Sequence, residues 1–223
     1  MRPLLLTVLL LTAATSLSAQ LRPKISLSAG GNISTVRWYN QFEFLGQTMP
    51  SNEGNLAVPG FQAGLSVELP FSSTFGVLMA PAFSRRGFRN DEDIYGVDSG
   101  VRLDYFDIPI LVRFYPVNNF YIEAGAAVSF MLKAESLLEG EPVGNEEIMG
   151  RLYEDTDLAA ALGLGYDFND RFTVNLRVFH GLLTTLDAEF TDGNGDPMVF
   201  EGARPKLLNQ SLQLSVQYAI LNP

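Results

Sequence analysis

The sequence predicts an all-β protein, an eight-stranded antiparallel up-and-down transmembrane β-barrel. Eight stretches alternate apolar residues with polar or small ones, which is the pattern of strands with two unlike faces. The connections between these stretches are alternately short and long, as in a meander that makes tight turns at one end only. We therefore expect one barrel domain over residues 20–223, preceded by an export signal over residues 1–19.

The first residues have the order of a secretory signal peptide. A basic start and an apolar run over residues 4–11 are followed by small residues before Gln20. The run is too short for a stable membrane helix. We expect cleavage after Ala19, with cleavage after Ser18 as the open alternative.

Composition narrows the class of protein further. The chain has no cysteine, which argues against a lipoprotein signal and excludes disulfides. Its net charge of −10 argues against nucleic acid or an anionic membrane surface as a partner. The mature chain also has no apolar run of membrane-helix length. An exported, acidic β-protein is the resulting expectation.

The clearest strand covers residues 104–116. Its inner face would carry Asp107 and Arg113 between two tyrosines. Its large apolar residues share the other face: Phe106, Ile108, Ile110, Val112 and Phe114. An apolar row beside mixed charges suits a barrel strand with lipid outside and a polar lumen inside.

The eight predicted strands have lengths suited to tilted membrane-crossing strands. They cover residues 24–36, 59–70, 74–87, 104–116, 120–133, 157–168, 171–183 and 208–220. Pro81 is a local weak point of the third strand, because proline lacks the N–H that a ladder needs. Tight turns are expected at 71–73, 117–119 and 169–170, and long loops at 37–58, 88–101, 134–156 and 184–206. Both ends of the mature chain should then face the periplasm, with the long loops outside.

A soluble barrel of the lipocalin kind is the main alternative, and it would turn the apolar faces inward. About forty apolar side chains would then have to fit a lumen that eight strands make only wide enough for side chains or one small ligand. The outward placement is therefore favoured, and the inner face keeps the small residues and the charges.

Ten charged residues are expected in the lumen, five bases and five acids, and buried charges are tolerable only when they pair. This predicted lumen charge network consists of Lys24, Glu68, Arg86, Asp107, Arg113, Glu123, Lys133, Asp157, Asp167 and Arg177. Equal numbers favour an ion-paired plug, with an ion or solute path as the alternative.

Other motifs give weak signals. His180 is the only histidine, and alternation places it on the outer face without a serine close by in its strand. Residues 192–196 have the spacing of the first half of a calcium loop, but Pro197 stands in the place of the required glycine and Ala203 in that of the bidentate glutamate. We therefore predict no catalytic, metal or cofactor site. The acidic segment 134–156 is expected to be a solvated loop that divalent cations or a basic partner could contact.

Aromatic residues begin the first long loop and suggest an interfacial girdle, with a ligand contact as the alternative. They are Trp38, Tyr39, Phe42 and Phe44.

Several segments resemble the PorT-like outer-membrane β-barrel family, small porin-like proteins of Gram-negative bacteria. The main one is the run from Tyr105 to Tyr115, and others are residues 30–34, 60–65, 83–87 and 120–125. Such chains usually end on an aromatic residue, whereas this one ends in Asn-Pro. The resemblance implies an integral outer-membrane barrel, and one branch of the family is linked to protein secretion.

The function expected from the sequence is that of a non-enzymatic outer-membrane barrel with a structural or interaction role. Its expected surroundings are outer-membrane lipid and lipopolysaccharide, the barrel-insertion machinery during biogenesis and a protein partner at the surface loops. A narrow pore or an accessory role in secretion is the alternative. A lipid A-modifying enzyme is the third possibility, for which His180 would be the residue to test.

Overall fold

The regular elements of the computed structural model are all β-strands. The structure describes residues 23–40, 42–44, 47–49, 52, 55–90, 98–143, 153–186 and 205–221. In these ranges the strands are β1 (Lys24–Tyr39), β2 (Phe42–Phe44), β3 (Gln47–Met49), β4 (Asn55–Pro70), β5 (Phe75–Met79), β6 (Ala82–Asn90), β7 (Ser99–Val117), β8 (Phe120–Leu138), β9 (Glu141–Val143), β10 (Thr156–Asp167), β11 (Phe172–Gly181) and β12 (Lys206–Leu221). The predicted signal peptide and the calcium-like segment 192–196 lie outside them. Within them, no helix is long and apolar enough to span a membrane.

The strands close into a ring of eight positions. β5 and β6 share one position between β4 and β7, and the order continues through β8, β10, β11 and β12 back to β1. Each neighbouring pair is antiparallel. The first and last strands pair with each other over most of their length. This ring confirms the predicted eight-stranded antiparallel fold.

The predicted weak point at Pro81 divides the third position of the ring into β5 and β6. The residues at the break still form hydrogen bonds with the neighbouring strands. The Ala80 N–H donates to the Pro109 carbonyl at 3.1 Å. The Pro81 carbonyl accepts a hydrogen bond from the Leu65 N–H at 2.9 Å. Proline removes a donor but keeps its acceptor, so the ring stays hydrogen-bonded through the break.

Three tight turns lie at one rim of the barrel, the rim at which β1 begins and β12 ends. In the first, the Ser72 hydroxyl accepts hydrogen bonds from the N–H groups of Thr74 and Phe75. In the last, the Asn169 side chain accepts from the N–H groups of Arg171 and Phe172. Serine and asparagine stabilise turns through such local bonds. The short connections therefore fall where the sequence predicts them, and we call this end the short-turn rim.

The two faces of the wall differ as predicted. Large apolar side chains point outward and are exposed, among them Ile110, Leu162 and Leu214. Most inward side chains of the same strands are polar, charged or small and are buried, and a few large apolar ones, such as Leu103 and Leu111, are buried among them. A ring with this partition suits an apolar solvent outside and a polar interior.

Strands β7 and β8 extend beyond their predicted ends, and each has 19 residues. The apolar outer row of β7 ends at Phe106, so residues 99–105 add about 23 Å of strand at 3.3 Å per residue. We call the part of the sheet formed by residues 85–90, 99–105 and 131–138 the raised wall. Segments 88–101 and 134–156 were predicted as loops, but the structure shows that strand continues into both of them. The reason is that the longest strands pair with each other and support each other above the ring.

The exposed position of Ile110 yields a test of lipid contact. Its side chain is 56% exposed in the middle of the apolar row. Ile110→Arg should lower the free energy of unfolding in bilayers by roughly 2–4 kcal/mol, since it places a charge in hydrocarbon. The measurement is urea unfolding of the protein reconstituted in vesicles.

Val117→Arg is the matched control, because Val117 is also exposed but lies at the short-turn rim. It should cost roughly 0–1 kcal/mol, as expected near the interface. Equal costs for the two substitutions would contradict a lipid-facing row.

Candidate functional site in the barrel lumen

A neutral ion cluster fills the lumen near the short-turn rim. Arg113 on β7 lies at its centre and bonds two carboxylates, Glu68 Oε2 at 2.6 Å and Glu123 Oε2 at 2.9 Å. Arg177 on β11 pairs with the other oxygen of Glu123. All four side chains are buried. Two guanidinium groups and two carboxylates balance, so the cluster meets the condition under which buried charge is tolerable.

Two tyrosines complete the coordination of this cluster. The Tyr115 hydroxyl donates to Glu68 Oε1 at 2.6 Å. The Tyr121 ring lies under Arg113, whose Cζ is 4.1 Å from the ring centroid. A cation over an aromatic face gains electrostatic stabilisation when desolvated. Gly165, paired with Tyr121, leaves the space for this ring, since a Cβ there would overlap the phenol.

A separate ion pair lies beside this cluster, at the short-turn rim. Lys24 Nζ is 3.1 Å from Asp167 Oδ1, and the two residues come from non-adjacent strands, β1 and β10. The Thr173 hydroxyl also donates to Asp167. Because β12 and β11 lie between β1 and β10, the pair joins two parts of the wall that are not neighbours.

A layer of apolar side chains forms another part of the filled interior. Leu78, Leu111 and Phe179 are buried and pack with inward alanines. Arg86 also contacts this layer, with its Cζ 5.8 Å from the Phe179 ring centroid. These apolar side chains fill the part of the lumen that the charged side chains do not occupy.

A second polar cluster lies nearer the loop end. Arg86 pairs with Asp107, which also accepts a hydrogen bond from the Ser84 hydroxyl at 2.7 Å. Asp157 accepts from the Asn209 amide at 3.0 Å, and the same amide lies 3.2 Å from the Tyr105 hydroxyl. These residues come from four strands, β6, β7, β10 and β12, so the cluster joins the wall on several sides.

Tyr153 covers this end of the lumen. It bridges to Leu186 and packs with Leu103, Tyr105 and Ala134. Burial raises the pKa of the Tyr153 phenol to about 12. The cover is therefore uncharged at neutral pH and adds an apolar layer above the polar cluster.

Nine of the ten residues of the predicted network lie on the inner side of the wall; Lys133 is the exception. A β-bulge between β7 and β8 places Leu132 outside the regular pairing, since Tyr105 pairs with Met131 and Asp104 with Lys133. The extra residue reverses the alternation beyond it, so Ala134 points inward. Lys133 instead lies on the outer face and pairs with Glu135 at 2.9 Å.

Asp157 also differs from the expectation of a charge pair. Among the described residues, Asp157 accepts a side-chain hydrogen bond from the Asn209 amide and forms no ion pair. With Lys133 outside, the ten predicted residues leave four bases and five acids in the lumen. Sequence reasoning missed Asn209 as a partner, because alternation places it inward without showing which strand it faces.

Two other predicted features have defined positions. His180 lies near the loop end of β11, where its ring nitrogen is 3.2 Å from the Gln210 amide nitrogen and its ring packs edge-on against Tyr39. Trp38 lies on the inner row of β1, beside the buried Val36, and not with Tyr39 on the outer row. The prediction of Trp38 in an outer girdle is therefore wrong, because adjacent residues of a strand face opposite ways.

Removing Arg113 tests the charge balance. Arg113→Ala leaves Glu68 and Glu123 without their shared cation and should lower the free energy of unfolding by roughly 3–5 kcal/mol. Arg89→Ala is the matched control, because Arg89 pairs with Asp98 in a half-exposed site, where a pair contributes roughly 0–1 kcal/mol. Unfolding of both variants in the same vesicles provides the comparison. Similar small losses for both would show that the Arg113 cluster is not a buried, coupled unit.

The comparisons with known proteins agree with this architecture. A model of the family described as outer membrane protein beta-barrel domain matches residues 17–187. No curated protein matches the chain. Among solved structures, Neisserial surface protein A has a TM-score of 0.50 and 12% identity, with 88% of this chain and 97% of that chain covered. Ail of Yersinia pestis has a TM-score of 0.45 and 18% identity, with 88% and 98% covered. The chain belongs to the family of outer-membrane protein β-barrel domains.

Proposed function

We propose that this outer-membrane barrel is closed and non-enzymatic, and that it acts by presenting its loop end to partners at the cell surface. The observation that carries the proposal is the filled lumen. Among the described residues, the cavity between Asp107, Arg177 and Phe179 has a volume of about 20 Å³. That volume is close to the minimum that holds one water molecule, so the interior supports a structural role better than a path for solutes.

The raised wall supports the interaction role. It ends in a tight turn between β8 and β9, where Glu139 and Gly140 both have positive φ, as a type I′ hairpin turn requires. Glu139 and Glu141 are exposed at this tip. An acidic tip held on long paired strands suits a partner protein with a basic surface.

The surroundings of His180 support a non-enzymatic role. Acid–base catalysis through this histidine would need a nucleophile or a carboxylate beside the imidazole. The contacts of the ring in the described residues are the Gln210 amide and the Tyr39 ring. They suit an interfacial histidine on the outer wall.

The resemblance of residues 105–115 to PorT-like barrels leads to a second candidate, an accessory role in protein secretion. The sequence motif lies in the middle of β7, where Arg113 and Asp107 belong to the two lumen clusters. In this proposal the motif maintains the plug, and the secretion partner binds at the loop end. The barrel-insertion machinery would be a further partner, during biogenesis only.

Conductance measurements test whether the barrel is closed. Wild-type protein in a planar bilayer should show no steady ion conductance, because side chains fill the eight-strand lumen. A variant with Arg113→Ala, Glu123→Ala and Arg177→Ala removes the central cluster and is the positive control, expected to leak if it folds. A large porin in the same bilayer controls for the assay. Stable openings of the wild-type protein would favour the pore.

A loop exchange tests the interaction role. Replacing residues 139–156 with a short Gly/Ser connection should abolish capture of a surface partner by cross-linking in intact cells. The matched control replaces Asn118 and Asn119 in the short turn with Gly-Gly and should leave capture unchanged. Equal capture by both variants would argue against partner binding at the loop end.

A further inference from the structure

The outer face of the raised wall carries a group of charges that lie outside the lumen. It contains four bases and three acids, so its formal charge is +1, in a chain whose net charge is −10. We call it the wall patch; its residues are Arg85, Arg89, Arg102, Lys133, Asp98, Asp104 and Glu135.

Register places the wall patch directly above the apolar band. Phe83, Phe106 and Phe130 pair across β6, β7 and β8 and form an aromatic row on the outer face. The next outward row toward the loop end is Arg85, Asp104 and Lys133. Aromatic girdles mark the interface of membrane barrels, so the row above them lies at the level of lipid headgroups.

Contacts of Arg85 confirm that the patch is on the outer side. Its Cζ is 5.3 Å from the ring centroid of Phe61, an exposed residue of the apolar face. It also forms a two-pronged ion pair with Asp104, with both distances 2.8 Å. The guanidinium is therefore held between an aromatic ring and a carboxylate, at a fixed place on the wall.

Three of the four bases are more exposed than the acids with which they pair, whereas Arg89 and Asp98 are equally exposed. Side-chain exposures are 36% for Arg85 against 9% for Asp104 and 40% for Lys133 against 11% for Glu135. Arg102, 3.3 Å from Glu135, is likewise the more exposed partner, at 29% against 11%. A ligand approaching from outside meets the cations first, although the carboxylates are needed to hold them in position.

The patch also has space for a ligand group. A concave site of about 690 Å³ is lined by Arg85, Arg89 and Arg102, and its lining also includes the carboxylates of Asp98 and Glu139. Gly87 and Gly100 alternate with these arginines across β6 and β7, so two positions of the outer face lack side chains. Arginines around a hollow can bind a phosphate through several N–H groups at once.

We propose that the wall patch binds the phosphate groups of a phosphorylated glycolipid in the outer leaflet. Arg85 and Lys133 lie lowest, beside the aromatic row, and contact the phosphate nearest the acyl chains. Arg102 and Arg89 lie one and two rows higher and contact further anionic groups of the sugar head. Acyl chains then pack on Phe61, Phe83 and Phe106. The hollow of this site borders the acidic tip at Glu139. A lipid site on the outer wall nevertheless goes beyond the proposed function, which concerns a closed lumen and a partner protein at the loop end.

The test compares lipid retention by native mass spectrometry of the full mature barrel. Bisphosphorylated lipid A, the same lipid without phosphates, and free inorganic phosphate are the three probes. Wild type should retain the bisphosphorylated lipid, and Arg85→Gln with Arg89→Gln and Arg102→Gln should retain it roughly tenfold less. Weak retention of the phosphate-free lipid and of inorganic phosphate is expected, because both the anionic and the apolar contacts are needed.

Arg171→Gln is the matched control, because it removes an exposed arginine at the short-turn rim. It should leave retention unchanged. If the triple variant does not fold, as judged by heat-dependent gel mobility, Arg89→Gln alone is used, since Arg89 is half-exposed and only its pair with Asp98 is lost. Equal retention by wild type and the patch variant would overturn the proposal. Equal retention of both lipids by wild type would do the same, since acyl contacts alone would then explain binding.

Discussion

The narrowness of an eight-strand ring constrains the rest of this structure. Its lumen is filled by side chains, so charges that point inward lose most of their water and must be neutralised by each other. Arg113 meets that requirement by joining Glu68 to Glu123, and Glu123 in turn joins Arg177. One cluster therefore ties β4, β7, β8 and β11 together, and the filled lumen follows from the same contacts.

The strand positions, the turns and the sidedness of the wall could be predicted from the sequence, because each depends on local alternation. The inward positions of Glu68, Arg113 and Glu123 could be predicted from the same alternation. Their pairing could not be predicted, since it depends on how far neighbouring strands are staggered around the ring. Tyr121 shows the limit: its place under Arg113 also requires that Gly165, from another strand, leaves the space.

Lys133 shows a second limit of alternation. A single bulged residue, Leu132, reverses the faces for the remainder of β8, and nothing in the period-two pattern marks it. The same reversal brings Ala134 inward beneath Tyr153, where a lysine would add a buried charge. It also gives Lys133 to the outer face beside Glu135. The bulge thus removes one base from the lumen and supplies one to the wall.

Net charge is a poor guide to what such a wall binds. Charges separated by more than about 8–10 Å of salt solution are largely screened, so a ligand responds to the groups beside it and not to the total of −10. At the wall patch those groups include the guanidinium and ammonium groups of Arg85, Arg102 and Lys133, which are more exposed than the carboxylates with which they pair. The acids at Glu139 and Glu141 lie higher, at the tip of the raised wall. An acidic protein can therefore hold anionic headgroups at the membrane surface and still present a negative tip above them.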